Sequence, residues 1–353
     1  MGKFVSHSTQ HRDIRPEVSI IIPAHNESKS IEQKLENTLS LNYPRDKMEI
    51  LVGSDGSTDE TADLAAQFSD RGVKTIRFME NRGKTEVQND LVEHSSAEIL
   101  IFTDAASFLH PNALNMIVRN FADKRIGCVA GRMRFIGTDT NLTTKSQGLY
   151  WRYEVIIKNM ESKLGRLIGV DGPLYAVRRD CYVPLASHII SDLITPLLVL
   201  SQGKRVIWEP QAIVDEDPTH TSSEEFATRR RITLRGLVGL LANSQLMNPF
   251  KYPGLTFQIF FHKVLRWCVG ITFILNVLAC LALSTHWIFK CILVFYCTFF
   301  TAAAIGWLTE RLSIRQKLFT VPYYFSLVNI AATMGILDLL SRKKVTSWKP
   351  VRH

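Results

Sequence analysis

The 353-residue sequence predicts an α/β head followed by an apolar helical region, and three observations carry that prediction. Short β-rich runs over 18–22, 49–53, 73–78 and 98–103 alternate with helically periodic segments over 28–41, 58–68 and 85–94. Such alternation implies right-handed crossovers and a doubly wound, mostly parallel sheet. Polar clusters follow the first, second and fourth runs. Finally, residues 267–283, 291–308 and 318–337 carry no charged side chain over 17, 18 and 20 positions, close to the roughly 20 needed to cross a bilayer core.

Taken in order, the first run ends in Pro23-Ala24-His25-Asn26-Glu27. The second ends in Ser54-Asp55-Gly56-Ser57-Thr58-Asp59, and the fourth in Thr103-Asp104-Ala105-Ala106-Ser107. Ligands of such sheets bind beyond the carboxyl ends of the strands, so Asp55 and Asp104, at the strand–loop junctions, are candidate site residues. Thr58 and Asp59 suit a helix cap. Beyond residue 140 a helix is expected over 145–163, carrying Tyr150, Trp151, Tyr153 and Glu154. Gly172-Pro173 turns into a strand over 174–177. A helix over 191–202 and a strand over 204–209, ending at Pro210, complete the head. Residues 224–247 begin charged and finish apolar, as in a helix settling on a membrane surface, and Pro249 and Pro253 break the chain after it. No internal repeat or low-complexity segment is present.

The net charge is +9. Much of the excess flanks the apolar runs, at Arg311, Arg315 and Lys317 and at Arg342, Lys343 and Lys344, as on the cytoplasmic side of membrane proteins. No nucleic-acid motif accompanies it. Both basic clusters ask for the cytosol, so residues 318–337, kinked at Pro322, are expected either to re-enter or lie at the interface, or else to break the charge rule. Residues 1–15 are polar, with no apolar core of a signal peptide, which leaves the head expected where it is synthesised. The six cysteines form no CxxC or CxH pair and are expected as reduced packing residues.

These motifs, in this order over residues 18–236, resemble the family 2 glycosyltransferases with a GT-A head, and in particular the membrane-anchored relatives of cellulose, chitin and hyaluronan synthases. The resemblance implies a nucleotide-diphosphate sugar donor, a UDP-sugar first of all, held by Pro23, Ala24, Asn26, Glu27 and Asp55. Gly83-Lys84 with Asn89 is similar to the family's GKxxAxN segment, Val87 replacing its small residue, and Lys84 is a point charge suited to a diphosphate. Asp104 matches the first acid of the DxD motif, which holds Mg²⁺ or Mn²⁺ against the diphosphate. Ala106 stands in place of the second acid, so the metal site is expected to be weak, with His220, Asp215 and Glu216 as the next ligands to consider. Asp192 matches the last acid of the (E/D)D motif and is implied as the general base, with Ser191 in place of the preceding acid. Arg229, Arg230 and Arg231 fall where the synthases carry Q-R-x-R-W and suit either diphosphate or lipid headgroups. Ile232 replaces the Trp that stacks on a growing polymer, which favours one or a few transfers over processive synthesis. Gly172 and Pro173 resemble the floor of the acceptor site, and Tyr150 and Trp151 offer faces to a sugar ring or to the core.

The expected organisation is an N-terminal tail (1–17), a cytosolic catalytic head (18–236), interface helices (237–263), two or three spans (264–340) and a basic tail (341–353). The implied protein is an inverting, multi-pass enzyme of the inner (plasma) membrane. It would act on a lipid-linked or glycan acceptor in envelope polysaccharide synthesis, in contact with lipid and with room for partner subunits. A processive synthase and a catalytically degenerate nucleotide-binding subunit are the alternatives.

Overall fold

A computed structural model describes residues 12–136, 142–217, 221–312 and 317–341, without the side chains of 142–152 and 317. Eight strands form one sheet: β1 (Val18–Ala24), β2 (Met48–Asp55), β3 (Val73–Phe78), β4 (Ile99–Phe102), β5 (Ser107–Leu109), β6 (Ile126–Phe135), β7 (Tyr175–Arg178) and β8 (Arg205–Glu216). Their order is β3-β2-β1-β4-β7-β6-β8-β5. The first four pair in parallel, as the alternation predicts. The second half is mixed, because β7 runs antiparallel to both β4 and β6, and β5 antiparallel to β8. The sheet is thus a curled, Rossmann-like mixed sheet rather than a uniformly parallel one.

Helices α1 (Ile31–Leu39), α2 (Thr61–Ala66), α3 (Lys84–Glu93), α4 (Ala113–Val118), α5 (Leu142–Lys163) and α6 (Ser191–Ser201) cover its two faces. On one face, Ile20, Ile22, Ile50 and Val52 pack against Ile31 and Leu35 of α1 and Leu114 and Ile117 of α4. On the other, Ile21, Leu51 and Leu100 pack against Val87 and Leu91 of α3. Both faces of the central strands are therefore buried, which is why those strands read as unbroken apolar runs. Gly53 of β2 faces Val87, and a Cβ at that glycine would collide with the valine Cγ1. The larger residue at position 87 is accommodated by the missing side chain opposite.

Strand β8 does not stop at Pro210 but continues to Glu216, because a register shift between Ala130 and Arg132 of β6 relieves the ladder where proline cannot donate.

Helix α7 (Ser222–Ala242) opens with a capping box, in which the Thr221 hydroxyl accepts from the Glu224 amide and the Glu224 carboxylate accepts from the Thr221 amide. It ends five residues before the expected limit, and residues 244–247 form a 3₁₀ turn. Beyond it come α8 (Pro253–Ile259), a π turn at Phe260–Val264, α9 (Leu265–Trp267), α10 (Val269–Ala282), α11 (Trp287–Arg311) and α12 (Lys317–Leu340). The α8–α9 stretch and α10 meet at a 63° bend at the start of the first apolar run, the rest of which α10 fills. By length and composition two helices, α11 and α12, suffice to cross a membrane, or three if that bent pair is one span. Leu185, Ile189 and Ile194 of the head share a third core with Leu240 of α7 and Leu255 and Ile259 of α8.

Candidate active site

The loops after β1 and β2 are tied together. Asn26, in the left-handed region at φ 53°, accepts through Oδ1 from the Thr58 amide at 2.9 Å and donates its own amide to the Ser57 hydroxyl. The Glu27 amide donates to Thr61 Oγ1, and the Ser28 amide to Asp59. His25 bonds the Asp55 carbonyl through Nδ1 at 2.6 Å and meets Asn81 Nδ2 through Nε2. An Nδ1–H tautomer satisfies both contacts. Pro23 and Ala24 are buried at the end of β1. Asp55 is fully buried, and its two carboxylate oxygens accept the amides of Arg82 and Gly83, each at 2.8 Å. Asp55 thereby fixes the turn that starts α3 and aims Lys84.

Lys84 forms an ion pair with Asp104, which lies two residues beyond β4. Asp192, in the first turn of α6, closes the group. A Cβ built on Gly172 would stand 3.4 Å from Lys84 Nζ, 3.4 Å from Asp192 Oδ2 and 3.9 Å from Asp104 Oδ2. One ammonium and two carboxylates from three separate elements thus converge on one glycine.

The placement of Asp192 follows from its neighbours. Pro196 has no N–H to give the Asp192 carbonyl four residues earlier in α6. That carbonyl instead accepts the Val170 amide at 2.9 Å, which holds the Gly172 loop against the helix. The Ser191 hydroxyl donates to Gln88 Oε1 at 2.8 Å, and the Thr85 hydroxyl donates to the Ile189 carbonyl at 2.7 Å. Desolvation raises the Asp192 carboxyl above the ordinary carboxylate range; Lys84 and Arg235 oppose the rise, and Asp104 adds to it.

The three arginines separate. Arg231 lies within electrostatic reach of Asp192 and Asp104. Arg229 donates to Glu225 at 2.8 Å and lines a cavity that Asp192 also lines. Arg230 is not brought to the site and pairs with Asp338 of α12. Gly172 and Pro173 line a cavity together with Asp192, whereas the Tyr150 and Trp151 side chains lie outside the described residues. Asn89 accepts from the Tyr182 hydroxyl and donates to the Leu185 carbonyl, anchoring the segment before α6. Of the further acids, Asp215 is held bidentately by Arg134 at 2.6 and 2.8 Å and Glu216 lines the cavity, while His220 lies outside the described residues.

Sequence reasoning passed over Arg235. Its guanidinium donates to the carbonyls of Ser187 at 3.1 Å and Ile189 at 2.9 Å, clamping the approach to α6. The signal was present, since Arg231 and Arg235 are four apart and share a face of α7. Lys34 was also missed. It is wholly buried in α1 and donates to Thr103 Oγ1 at 2.8 Å and to the Ser107 carbonyl at 2.5 Å, bracing both ends of the loop that carries Asp104.

Fold and site together define an α/β head with a basic side chain and two carboxylates at the carboxyl edge of its sheet. Residues 19–182 match the family model described as Glycosyl transferase family 2. This segment, somewhat under half of the chain, is a Glycosyl transferase family 2 domain.

The chain is 27% identical over 231 residues to the probable glycosyltransferase YdaM of Bacillus subtilis, a match covering 61% of this chain and 54% of that protein. It is 26% identical over 204 residues to the poly-beta-1,6-N-acetyl-D-glucosamine synthase of Staphylococcus aureus, over 56% of this chain and 48% of that one. The chain therefore spans about half the length of these curated relatives. Among solved structures, the mannosyltransferase PcManGT from Pyrobaculum calidifontis, in complex with GDP-Man and Mn²⁺, superposes with a TM-score of 0.69 at 23% identity. That match covers 97% of this chain and 93% of the other, so the shared fold extends into the apolar helices.

Proposed function

We propose that this chain is an inverting glycosyltransferase that takes a sugar from a nucleotide diphosphate donor, a UDP-sugar first of all, and passes it to a hydroxyl of a lipid-linked or glycan acceptor. The convergence of Lys84, Asp104 and Asp192 on Gly172 carries the proposal. The β1 and β2 loops would hold the nucleoside, with Asn26 and Glu27 in the first and Asp55 fixing the turn beneath. Lys84 and Arg231 would take the diphosphate charge. Asp192, less acidic than an exposed carboxylate, would accept the acceptor hydroxyl's proton as its oxygen attacks the anomeric carbon.

A divalent cation fits these residues only in part. Among the described residues no cluster of three or more His, Cys, Asp or Glu side chains is arranged for a metal. Asp104 alone occupies the motif, paired with Lys84. Mg²⁺ or Mn²⁺ can be held by one carboxylate together with substrate phosphates and water, so Asp104 would share it with the donor. Bound there, the ion would offset charge on the leaving diphosphate.

Ile232 lines the acceptor cavity and offers no aromatic face for a growing polymer to slide over, which favours one or a few transfers over processive synthesis. The apolar helices support anchoring in the inner (plasma) membrane with the head cytosolic and several passes, in an envelope polysaccharide system that has room for partner subunits. A degenerate nucleotide-binding subunit is favoured by Ala106 and Ser191. Against it stands the retained Asp192, whose environment is built from α3, α7 and the Gly172 loop.

The test is nucleotide release from a panel of UDP- and GDP-sugars by the full chain in detergent, with and without Mn²⁺. Metal-stimulated release from at least one donor is expected. Binding of nucleotide without turnover of any donor would establish the subunit instead.

A further inference from the structure

A cavity of about 630 Å³ lies between the head and the apolar helices. Gly172, Pro173 and Asp192 form its inner end. Val321, Phe325, Val328 and Ala332 of α12, with Trp267 and Val269, form the wall toward the candidate spans. It therefore joins the proposed base directly to helices apolar enough for a bilayer.

The charges on its wall decide what it takes. Six carboxylates line it, at Glu154, Asp171, Asp192, Glu216, Asp217 and Glu225, against four Lys and Arg side chains and His262. Three of those four cations are each engaged by a carboxylate of the same wall: Arg266 by Glu154, Lys158 by Asp171 and Arg229 by Glu225. An incoming lipid phosphate would have to break such pairs and add negative charge to an acidic wall, a costly exchange. Hydroxyl groups, by contrast, donate to carboxylates and disturb none of the ion pairs. A base at Asp192 points the same way, since it has a proton to remove from a hydroxyl, whereas a phosphate ionised at neutral pH needs no base.

Resting on the transferase activity proposed above, we infer that this cavity is the acceptor site and that its acceptor is a neutral, hydroxyl-headed amphiphile. A glycolipid would place a sugar hydroxyl at Asp192 and its apolar tail past Trp267 and α12. In the transfer step the hydroxyl oxygen bonds to the anomeric carbon of the donor as that carbon's bond to the diphosphate oxygen breaks. The hydroxyl proton passes to Asp192, and the nucleoside diphosphate leaves with the electron pair.

The experiment uses the full chain purified in a non-glycosidic detergent, with each nucleotide sugar that shows nucleotide release. The acceptors are methyl, octyl and dodecyl glucoside, and farnesyl phosphate. Glycosylated dodecyl glucoside is expected with kcat/KM at least about tenfold above methyl glucoside, the effect of burying a couple of methylenes, and farnesyl phosphate is expected to remain unmodified. Preferential labelling of farnesyl phosphate would overturn the inference. So would equal use of methyl and dodecyl glucoside, or failure of every glucoside while donor hydrolysis continues. Absence of nucleotide release from every donor is a different result, which removes the transferase activity itself.

Discussion

Two single residues set the terms at the sheet edge, Asp104 as the proposed metal ligand and Lys34 as the buried brace beneath it. With only Asp104 in the motif, the cation would be bound weakly. Asp104→Ala is expected to abolish metal-stimulated turnover, and Ala106→Asp to lower the Mn²⁺ concentration needed for half-maximal activity, provided donor is present to bring in the ion. Without a metal, two adjacent carboxylates would repel and one would protonate, so the titration belongs above neutral pH. Full metal stimulation in Asp104→Ala would place the cation elsewhere. Lys34 makes a separate prediction. Desolvation lowers its ammonium from 10.5 to about 7, with Asp104 opposing the change. Between those pH values the unfolded chain binds the proton and the folded chain does not, so stability should rise with pH across that interval and stay flat below it. The thermal midpoint in detergent, measured from pH 6 to 10, should show that rise in the native chain and lose it in Lys34→Met. An unchanged slope in the variant would mean that other groups produce it.

Helix α6 shows how elements divide the work. It supplies Asp192, yet its position is imposed from outside through Gln88 and Thr85 of α3, Arg235 of α7 and the Val170 amide, which takes the Asp192 carbonyl that Pro196 leaves open. Arg235 donates to the carbonyls of Ser187, His188 and Ile189 and to the Thr85 hydroxyl, and acts by positioning. Arg235→Met should therefore lower kcat for transfer, on the order of 10²-fold if Asp192 shifts by about 1 Å. Nucleotide affinity should stay near the native value, and Arg235→Lys should recover part of the loss because one ammonium can still reach a carbonyl. A fall in nucleotide affinity as large as the fall in kcat would assign Arg235 to donor binding instead. The seam between α7 and α12 is a second case. The Tyr324 hydroxyl donates to Glu225 at 2.7 Å, Gly335 fits closely over the backbone at Arg230 and Leu234, and Arg230 pairs with Asp338. The two helices thus run side by side in the same direction, and Arg230, expected at the donor, is spent on holding them together.

Across the whole molecule, legibility tracked how local each cause was. The strands β1 to β4 and the clusters that follow them were readable because burial on both faces gives unbroken apolar runs and turn formers bound them. The antiparallel direction of β7, the strand β5 and the continuation of β8 through Pro210 were not, since each depends on a partner strand distant in sequence. Asp55, Lys84, Asp104 and Asp192 were legible as residues through their motif positions, but their meeting around Gly172 is a tertiary fact. Lys34 belongs to no motif and was visible only through what it touches, and Arg235 left only its four-residue spacing from Arg231 as a signal. The bend at Cys268 was hidden because hydropathy records composition and not helix direction. The central claim is that Asp192 removes the acceptor proton, and Asp192→Asn tests it most directly. Transfer to acceptor and nucleotide affinity should be measured on the same preparation. The account predicts transfer reduced by about 10²- to 10⁴-fold, the usual contribution of a general base, with nucleotide affinity close to native; transfer within about tenfold of native would contradict it.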